Sequence, residues 1–483
     1  MHSLAAQLNI VPDTLKHIHL MGICGTGMAA LAGMLQTSGY TVTGSDSQVY
    51  PPMSVFLNNL KISVSNGYSA DNLDPAPDLV IVGNVITRKN PEAIALAELK
   101  IPYLSFPQAL AHFYIQTRTS LVISGTHGKT TTCSLLATAL YHAGLDPSFM
   151  IGGIVGEFGT NFRLGKGEYF VAEGDEYDTA FFDKGSKFLH YIPQVAVITS
   201  IEFDHADIFD DLDAIKRSFK KFVALLPPDG LLIANFDDKN VVEIAAEAPC
   251  PVESYGLDPS YTWAIDSIQI DNAISRFDVL KNGKLWSAMT VGLPGRHNCL
   301  NSLAVCAVMH HLDISPSTIN RGLESFAGVK RRQEVRGIER GITVIDDFAH
   351  HPTAVRETLA ALKSGYSDRR LVTVFEPRTN SSRRAIFQND YATAFDSADI
   401  ILLKEPSPIE GLTKEELFSS ARLASDLINN GKSAAEAFET TDDILNRLKN
   451  ILQEGDVVAI LSNGGFDNIH VRLLDQIRAS ASE

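Results

Sequence analysis

The sequence predicts an α/β protein of three domains built on largely parallel sheets. Apolar strand-like runs at 17–21, 78–82, 121–124, 195–199, 343–346, 371–375, 400–403 and 457–461 alternate with helical stretches, the pattern of βα units. At 483 residues the chain is too long for one core, and its length fits about three domains. A strand followed by a glycine loop occurs near residue 22 and again near residue 125, so two nucleotide-type sites are expected.

Composition narrows the function. Apolar residues make up 45% and charged residues 20%, as in ordinary globular proteins. No apolar run approaches the roughly 18–20 residues of a membrane span, and residues 1–16 lack the basic and apolar regions of a signal peptide. Cys24, Cys133, Cys250, Cys299 and Cys306 are scattered with no C-x-x-C pair, so reduced thiols and a cytoplasmic location are expected. The net charge of −16 disfavours a nucleic-acid surface. Such a chain binds anionic nucleotides only where glycine amides and a few cations make the local field positive.

In chain order, strand 17–21 runs into Gly22-Ile23-Cys24-Gly25-Thr26-Gly27, and strand 40–43 ends in Gly44-Ser45-Asp46. That is the logic of a Rossmann-type first unit, with bare backbone near a pyrophosphate and an acid near a ribose. The spacing is G-x-x-G-x-G rather than G-x-G-x-x-G, so both a plain βα turn and a nucleotide diphosphate site stay open. A first boundary is expected at 112–118.

The middle domain opens on Gly125-Thr126-His127-Gly128-Lys129-Thr130-Thr131-Thr132, between the apolar run 121–124 and a helix-compatible stretch at 133–141. Strand, glycine turn and helix N-terminus form a phosphate cradle, because free amides and the helix dipole both favour an anion. Lys129 would place a charge on the outer phosphates of ATP, and the Thr130 hydroxyl stands where Mg²⁺ is ligated. The runs Glu173-Gly174-Asp175-Glu176-Tyr177-Asp178 and Glu202-Phe203-Asp204-His205-Ala206-Asp207 follow strands in the same domain. Oxygen-rich groups beside a phosphate loop suit Mg²⁺ sites, with Glu173 and His205 the chosen ligands.

Residues 255–290 read as short antiparallel strands with a Lys281-Asn282-Gly283 turn. In Gly295-Arg296-His297-Asn298-Cys299-Leu300-Asn301, Asn298 and Asn301 share a helix face. They could read an adenine edge or cap the helix. The second boundary is expected near Gly328. Beyond it, Arg331-Arg332 is either a clamp on a transferring phosphoryl group or a solvated basic face. Asp346-Asp347 ends a further strand, and His350-His351 reads as a helix-opening surface rather than a metal site.

Taken together, G-T-H-G-K-T-T-T at 125, the acidic run from 173, D-H at 204, G-R-H-N-x-x-N at 295, R-R at 331 and D-D-F-A-H-H-P-T at 346 resemble the Mur ligase family of ATP-dependent amide-forming enzymes, essentially end to end. Stretches 49–54, 181–188, 202–209 and 462–466 are similar to those of members that attach a tripeptide, rather than L-alanine, to UDP-N-acetylmuramate. The resemblance implies domains at 1–115 for the UDP-sugar, 116–328 for ATP and 329–483 for the acceptor. The first and last are expected to be Rossmann-like and the central one a P-loop ATPase. It further implies that the lactyl carboxylate attacks the γ-phosphate of ATP to give an acyl phosphate, which an acceptor amine then displaces.

By the same resemblance, Gly125, Thr126, His127, Gly128, Lys129, Thr130 and Thr131 hold the phosphates. Asn298 and Asn301 take the adenine, Asp347 the ribose and Arg332 the γ-phosphate. Thr130 and Glu173 hold one Mg²⁺ and His205 a second, and the catalytic set is Lys129, Glu173, His205 and Arg332. Gly25, Thr26 and Gly27, with Ser45 and Asp46, hold the UDP moiety. Arg332 reaching in from the last domain implies closure on ATP. Several family members carry a carbamylated lysine at the spacing of Lys220, which is expected here to be an ordinary surface lysine. The partners implied are UDP-N-acetylmuramate and a short peptide, and the oligomeric state is left open.

Overall fold

The computed structural model describes residues 4–49, 53–271, 273–432 and 434–479. Positions 50–52 of the 49–54 stretch lie outside the described residues. Three sheets follow one another along the chain.

The first contains His17–Met21 (β1), Thr41–Asp46 (β2), Ser63–Asn66 (β3), Leu79–Val82 (β4) and Tyr103–Ser105 (β5). Their order is β3-β2-β1-β4-β5, all parallel. The order reverses between β1 and β4, where such sheets open a crevice at the carboxyl ends of their strands. The helix Thr26–Thr37 (α1) starts there.

The second sheet is built from Thr119–Ser124 (β6), Ser148–Val155 (β7), Thr160–Arg163 (β8), Tyr169–Gly174 (β9), Val195–Ile198 (β10), Leu231–Asn235 (β11), Val252–Gly256 (β12), Trp263–Asp271 (β13), Ile274–Lys281 (β14) and Lys284–Val291 (β15). The order is β15-β14-β13-β12-β11-β10-β6-β9-β7-β8. Strands β12 to β7 along this order form a parallel core, and β13 to β15 add an antiparallel edge. The expected excursion at 255–290 is therefore present. Its turn at Asn282-Gly283 has φ of 51° and 71°, the paired positive values of a two-residue hairpin.

The helix Lys129–His142 (α2) begins at the lysine itself and is buried continuously from Thr130 to Leu140. A helix enclosed on all sides shows no amphipathic stripe, which explains why its first turn, Thr130-Thr131-Thr132, was not read as helix. Next come Leu212–Val223 (α3) and Arg296–His311 (α4).

The third sheet comprises Glu334–Glu339 (β16), Ile342–Asp347 (β17), Leu371–Phe375 (β18), Ile400–Lys404 (β19), Ala435–Phe438 (β20) and Val457–Leu461 (β21). They run β16-β17-β21-β18-β19-β20, with only β16 antiparallel. Strands β17, β18 and β21 are buried at every residue, as parallel strands covered on both faces must be. Pro352–Gly365 (α5) follows β17.

Among the described residues no helix is long and apolar enough to cross a membrane. All five cysteines are free, and Cys133, Cys299 and Cys306 are buried.

Candidate active site

The middle sheet sets the site. β6 lies between β10 and β9, so the loop after β6 is flanked by 199–205 on one side and 173–176 on the other. Two distant acidic runs thereby reach one phosphate loop. Gly125 has φ +136° and Gly128 φ +80°; a Cβ on Gly125 would lie 2.2 Å from Thr199 Oγ1, and one on Gly128 2.6 Å from Asn301 Oδ1. Both positions need glycine for conformation and for space.

The loop is laced to the end of β10. Thr126 N–H donates to Ser200 O at 2.9 Å, His127 N–H to Ser200 Oγ at 3.0 Å, and Glu202 N–H to Thr126 Oγ1 at 2.8 Å. The amides left to face a ligand are those opening α2, from Lys129 to Thr131, which have no partner one turn back.

Lys129 Nζ donates to Gly125 O at 2.5 Å and to Glu176 Oε2 at 2.9 Å. Burial works against its charge, but the Glu176 and Asp175 carboxylates more than offset that and raise its pKa. Glu176, 2% exposed, also sits 3.5 Å from His205 Nε2. His205 has φ +55°, and its ring meets Tyr177 edge-on at 5.1 Å. Burial lowers the His205 pKa, yet Glu176 and Asp204 together raise it overall.

Thr130 Oγ1 donates to Glu173 Oε1 at 2.9 Å, and Gly152 N–H donates to Glu173 Oε2 at 2.7 Å. From the third domain, Arg332 Nη2 donates to Thr130 Oγ1 at 3.3 Å, its guanidinium lying 4.8 Å over the Phe348 ring. Arg331 faces elsewhere and donates to Ser462 O and, at 2.7 Å, to Gly464 O. The pair thus divides: Arg331 ties its own domain together and Arg332 faces the phosphate loop.

Asn298 and Asn301 are buried, with Asn298 Nδ2 on Pro294 O at 2.8 Å and Asn301 Nδ2 on Asn298 Oδ1 at 3.4 Å. Gly295, not an asparagine, occupies the cap position of α4, so the capping reading of these amides is not what the structure shows. Beside them burial pushes His297 down to about 4, and its Nδ1 has no hydrogen-bond partner. Asp347 accepts from Gln333 N–H and Ala349 N–H at 2.7 and 2.8 Å, and burial raises its pKa.

One cavity of about 880 Å³ is lined by Thr126 through Thr131, Glu173, His205, Asn298, Asn301, Arg332 and Asp347. Leu257, Leu293 and Leu300 give it an apolar wall near the asparagines. Of the residues expected from the sequence to hold ATP, all but Gly125 line it.

The N-terminal loop is a separate place. Gly25 and Thr26 are exposed at the start of α1, and a Cβ on Gly27 would meet the Phe106 ring at 3.3 Å. Ser45 is fully buried; its Oγ donates to Glu92 at 2.5 Å and its carbonyl accepts from Gly22 and Ile23 N–H. Asp46 accepts from Cys24 N–H and Gln48 N–H at 2.9 and 3.1 Å. Both side chains shape the loop from below. Segment 175–190 docks this domain on the middle one, through Ser105 Oγ to Asp183 at 2.8 Å and the Tyr103–Phe182 ring pair at 4.8 Å.

Two acids, the buried Glu176 and the partly exposed Glu202, had escaped individual notice. Glu176 lies inside the quoted acidic run, but nothing in the spacing separates it from Asp175 or Asp178. Glu202 accepts from Thr353 Oγ1 at 2.8 Å and lies 3.2 Å from His127 Nε2. Lys220 pairs with Glu247 at 2.6 Å on the outer face of α3, as expected of a surface lysine. His351 opens α5 by accepting from Thr353 N–H.

Three family models match the chain in succession. They are the Mur ligase family, catalytic domain over 17–118, the Mur ligase middle domain over 123–309, and the Mur ligase, glutamate ligase domain over 331–464. The UDP-N-acetylmuramate–L-alanyl-γ-D-glutamyl-meso-2,6-diaminoheptandioate ligase of Escherichia coli (strain K12) is 39% identical over 465 residues, 96% of this chain and 99% of that one. A crystal structure of a murein peptide ligase from Psychrobacter arcticus 273-4 is 36% identical with TM-score 0.71, covering 96% and 98% of the two chains. That of the UDP-N-acetylmuramate–alanine ligase from Thermotoga maritima is 25% identical with TM-score 0.78, covering 97% and 100%. This chain belongs to the Mur ligase family of ATP-dependent ligases.

Proposed function

We propose that the protein joins the lactyl carboxylate of UDP-N-acetylmuramate to the amine of L-Ala-γ-D-Glu-meso-diaminopimelate, using ATP and passing through an acyl phosphate. The observation that carries this is the convergence of Lys129, the Thr130–Glu173 pair and Arg332 from another domain on one cavity. The higher identity to the tripeptide-type relatives supports that acceptor. A second reading, L-alanine as acceptor, draws on the closer superposition of the alanine-type enzyme.

In the first step one anion attacks another. Lys129 would leave Gly125 O for the β- and γ-phosphates, and Arg332 would meet the charge that grows on the γ-phosphoryl oxygens. Opening amides of α2 would hold the bridging phosphates, Asn298 and Asn301 the adenine, and Asp347 the ribose. Thr130 Oγ1 and Glu173 Oε1, hard oxygens 2.9 Å apart, fit Mg²⁺, and His205 is the proposed ligand of a second ion. The metal supplies charge neutralisation on the phosphates. In the second step the acceptor amine takes the acyl carbonyl and phosphate leaves.

Gly25, Thr26 and Gly27, on a loop shaped by Ser45 and Asp46, would bind the UDP diphosphate at the opening of α1. Residues 1–115, 116–328 and 329–483 then serve UDP-sugar, ATP and acceptor, and substrates of this kind belong to the cytoplasm. The test is ADP release: it should require UDP-N-acetylmuramate, Mg²⁺ and an acceptor together. Turnover that ignores the sugar nucleotide would refute the proposal.

A further inference from the structure

Three side chains to which the proposed ligase chemistry gives no role, beyond His127's place in the phosphate loop, meet where the third domain docks on the middle one. His127 stands in the phosphate loop, Glu202 follows β10, and His351 opens α5. Their ligand atoms all lie within 4.8 Å of one another. His127 Nε2 is 3.2 Å and His351 Nδ1 3.5 Å from the same oxygen, Glu202 Oε2. Donors about 2.1 Å from a tetrahedral ion stand about 3.4 Å apart, so these two edges need little adjustment.

The protonation pattern favours a cation. His351 Nε2 lies 3.2 Å from Phe203 O, and a carbonyl can only accept, so that nitrogen carries the proton. Nδ1 is therefore a lone pair, engaged only by a 3.3 Å bond from Thr353 N–H. It faces a carboxylate oxygen, another acceptor, and an ion between the two would relieve that opposition. The Phe203 carbonyl fixes the ring as backbone carbonyls do behind metal-bound histidines. On the open side, His127 and Glu202 line the cavity and remain 22% and 34% exposed, leaving room for a water as further ligand.

We propose that His127, Glu202 and His351 form a site for a divalent transition-metal ion of the Zn²⁺ kind, bridging the phosphate loop and the third domain. Two imidazoles and one carboxylate suit Zn²⁺ or Co²⁺, whereas Mg²⁺ prefers all-oxygen surroundings such as Thr130 and Glu173. The two sets share no ligand. Because the site draws on both domains, an ion there holds the cleft in the docked arrangement seen here. If the cleft opens during turnover, as the ligase reading requires, Zn²⁺ is then an inhibitor.

Co²⁺ titrated into the nucleotide-free full chain, with Mg²⁺ in excess, tests the site without reading activity. One Co²⁺ per chain should bind with the intense visible absorption of a four-coordinate ion, and Zn²⁺ should displace it. His351→Gln and Glu202→Gln should each weaken Kd about 10-fold or more. Both variants are checked for wild-type circular dichroism, and the half-exposed Glu202 carries the test should the His351 variant not fold. Binding that Mg²⁺ abolishes, or a spectrum and affinity unchanged in the variants, would overturn the proposal. Failure of the ligase reading would leave this result untouched, since only ion binding is measured.

Discussion

Arg332 Nη2 donates to Thr130 Oγ1 at 3.3 Å, joining residues 202 positions apart across the cleft between the middle and third domains. The contact puts a cation from one domain beside the hydroxyl that, with Glu173, forms the oxygen pair of the other. Removing Arg332 should damage the chemical step and not the sugar-nucleotide site, which we propose lies at the opening of α1 in the first domain. Arg332→Ala should lower kcat about 10²–10³-fold while UDP-N-acetylmuramate affinity by calorimetry stays unchanged. Lost sugar-nucleotide affinity would disprove the clamp role.

Lys129 is held by Gly125 O and Glu176, its charge preserved despite burial. Lys129→Ala should cut ligation by about 10²–10³-fold or more, because a preorganised charge at the transferring group is lost. Near-normal turnover would remove the phosphate-loop assignment.

Gly125 has no room for a methyl group. A Cβ would stand 2.2 Å from Thr199 Oγ1, at φ +136°. The strained backbone alone costs about 1–3 kcal/mol. Gly125→Ala should lower Tm and weaken ATP binding together, as read by thermal unfolding with and without nucleotide. A variant with unaltered Tm and nucleotide affinity would contradict the loop geometry.

Asp183 joins the first two domains through Ser105 and His190. Burial pushes its pKa up, but the His190 hydrogen bond and charge, with help from Ser105 and Gly185 N–H, bring it below the ordinary carboxylate value. A depressed folded-state pKa stabilises fully above the unfolded value, about 3.9, and that gain disappears as pH falls through the folded value. The Tm gap between wild type and Asp183→Asn should therefore be open at pH 7 and narrow steadily below about pH 4. A gap that is constant or widens on acidification would show that Asp183 does not work through this charge.

The architecture was legible because buried parallel strands leave plain apolar runs. Each of the eight runs read from the sequence coincides with a strand, and His17–Met21, Leu371–Phe375 and Val457–Leu461 match residue for residue. The start of α2 was less legible: the sequence marks helix only from residue 133, while burial on every side holds Thr130-Thr131-Thr132 helical as well. Phosphate-loop and acidic motifs converge because β6 lies between β9 and β10, a neighbour relation that no spacing encodes. Arg331 and Arg332 were inseparable as a dipeptide. The positive φ of 62° at Arg331 turns the chain so that the two guanidinia part company. Glu176 and Glu202 went unsingled for a similar reason, as their partners Lys129, His205, His127 and Thr353 come from other segments.

The central claim is the acceptor. A mass-spectrometric ligation assay with UDP-N-acetylmuramate, Mg²⁺ and ATP, in which L-alanine and L-Ala-γ-D-Glu-meso-diaminopimelate compete in one tube, tests it most directly. The account predicts the tripeptide adduct as the main product, with ADP released in equal amount. An L-alanine adduct in its place would contradict it.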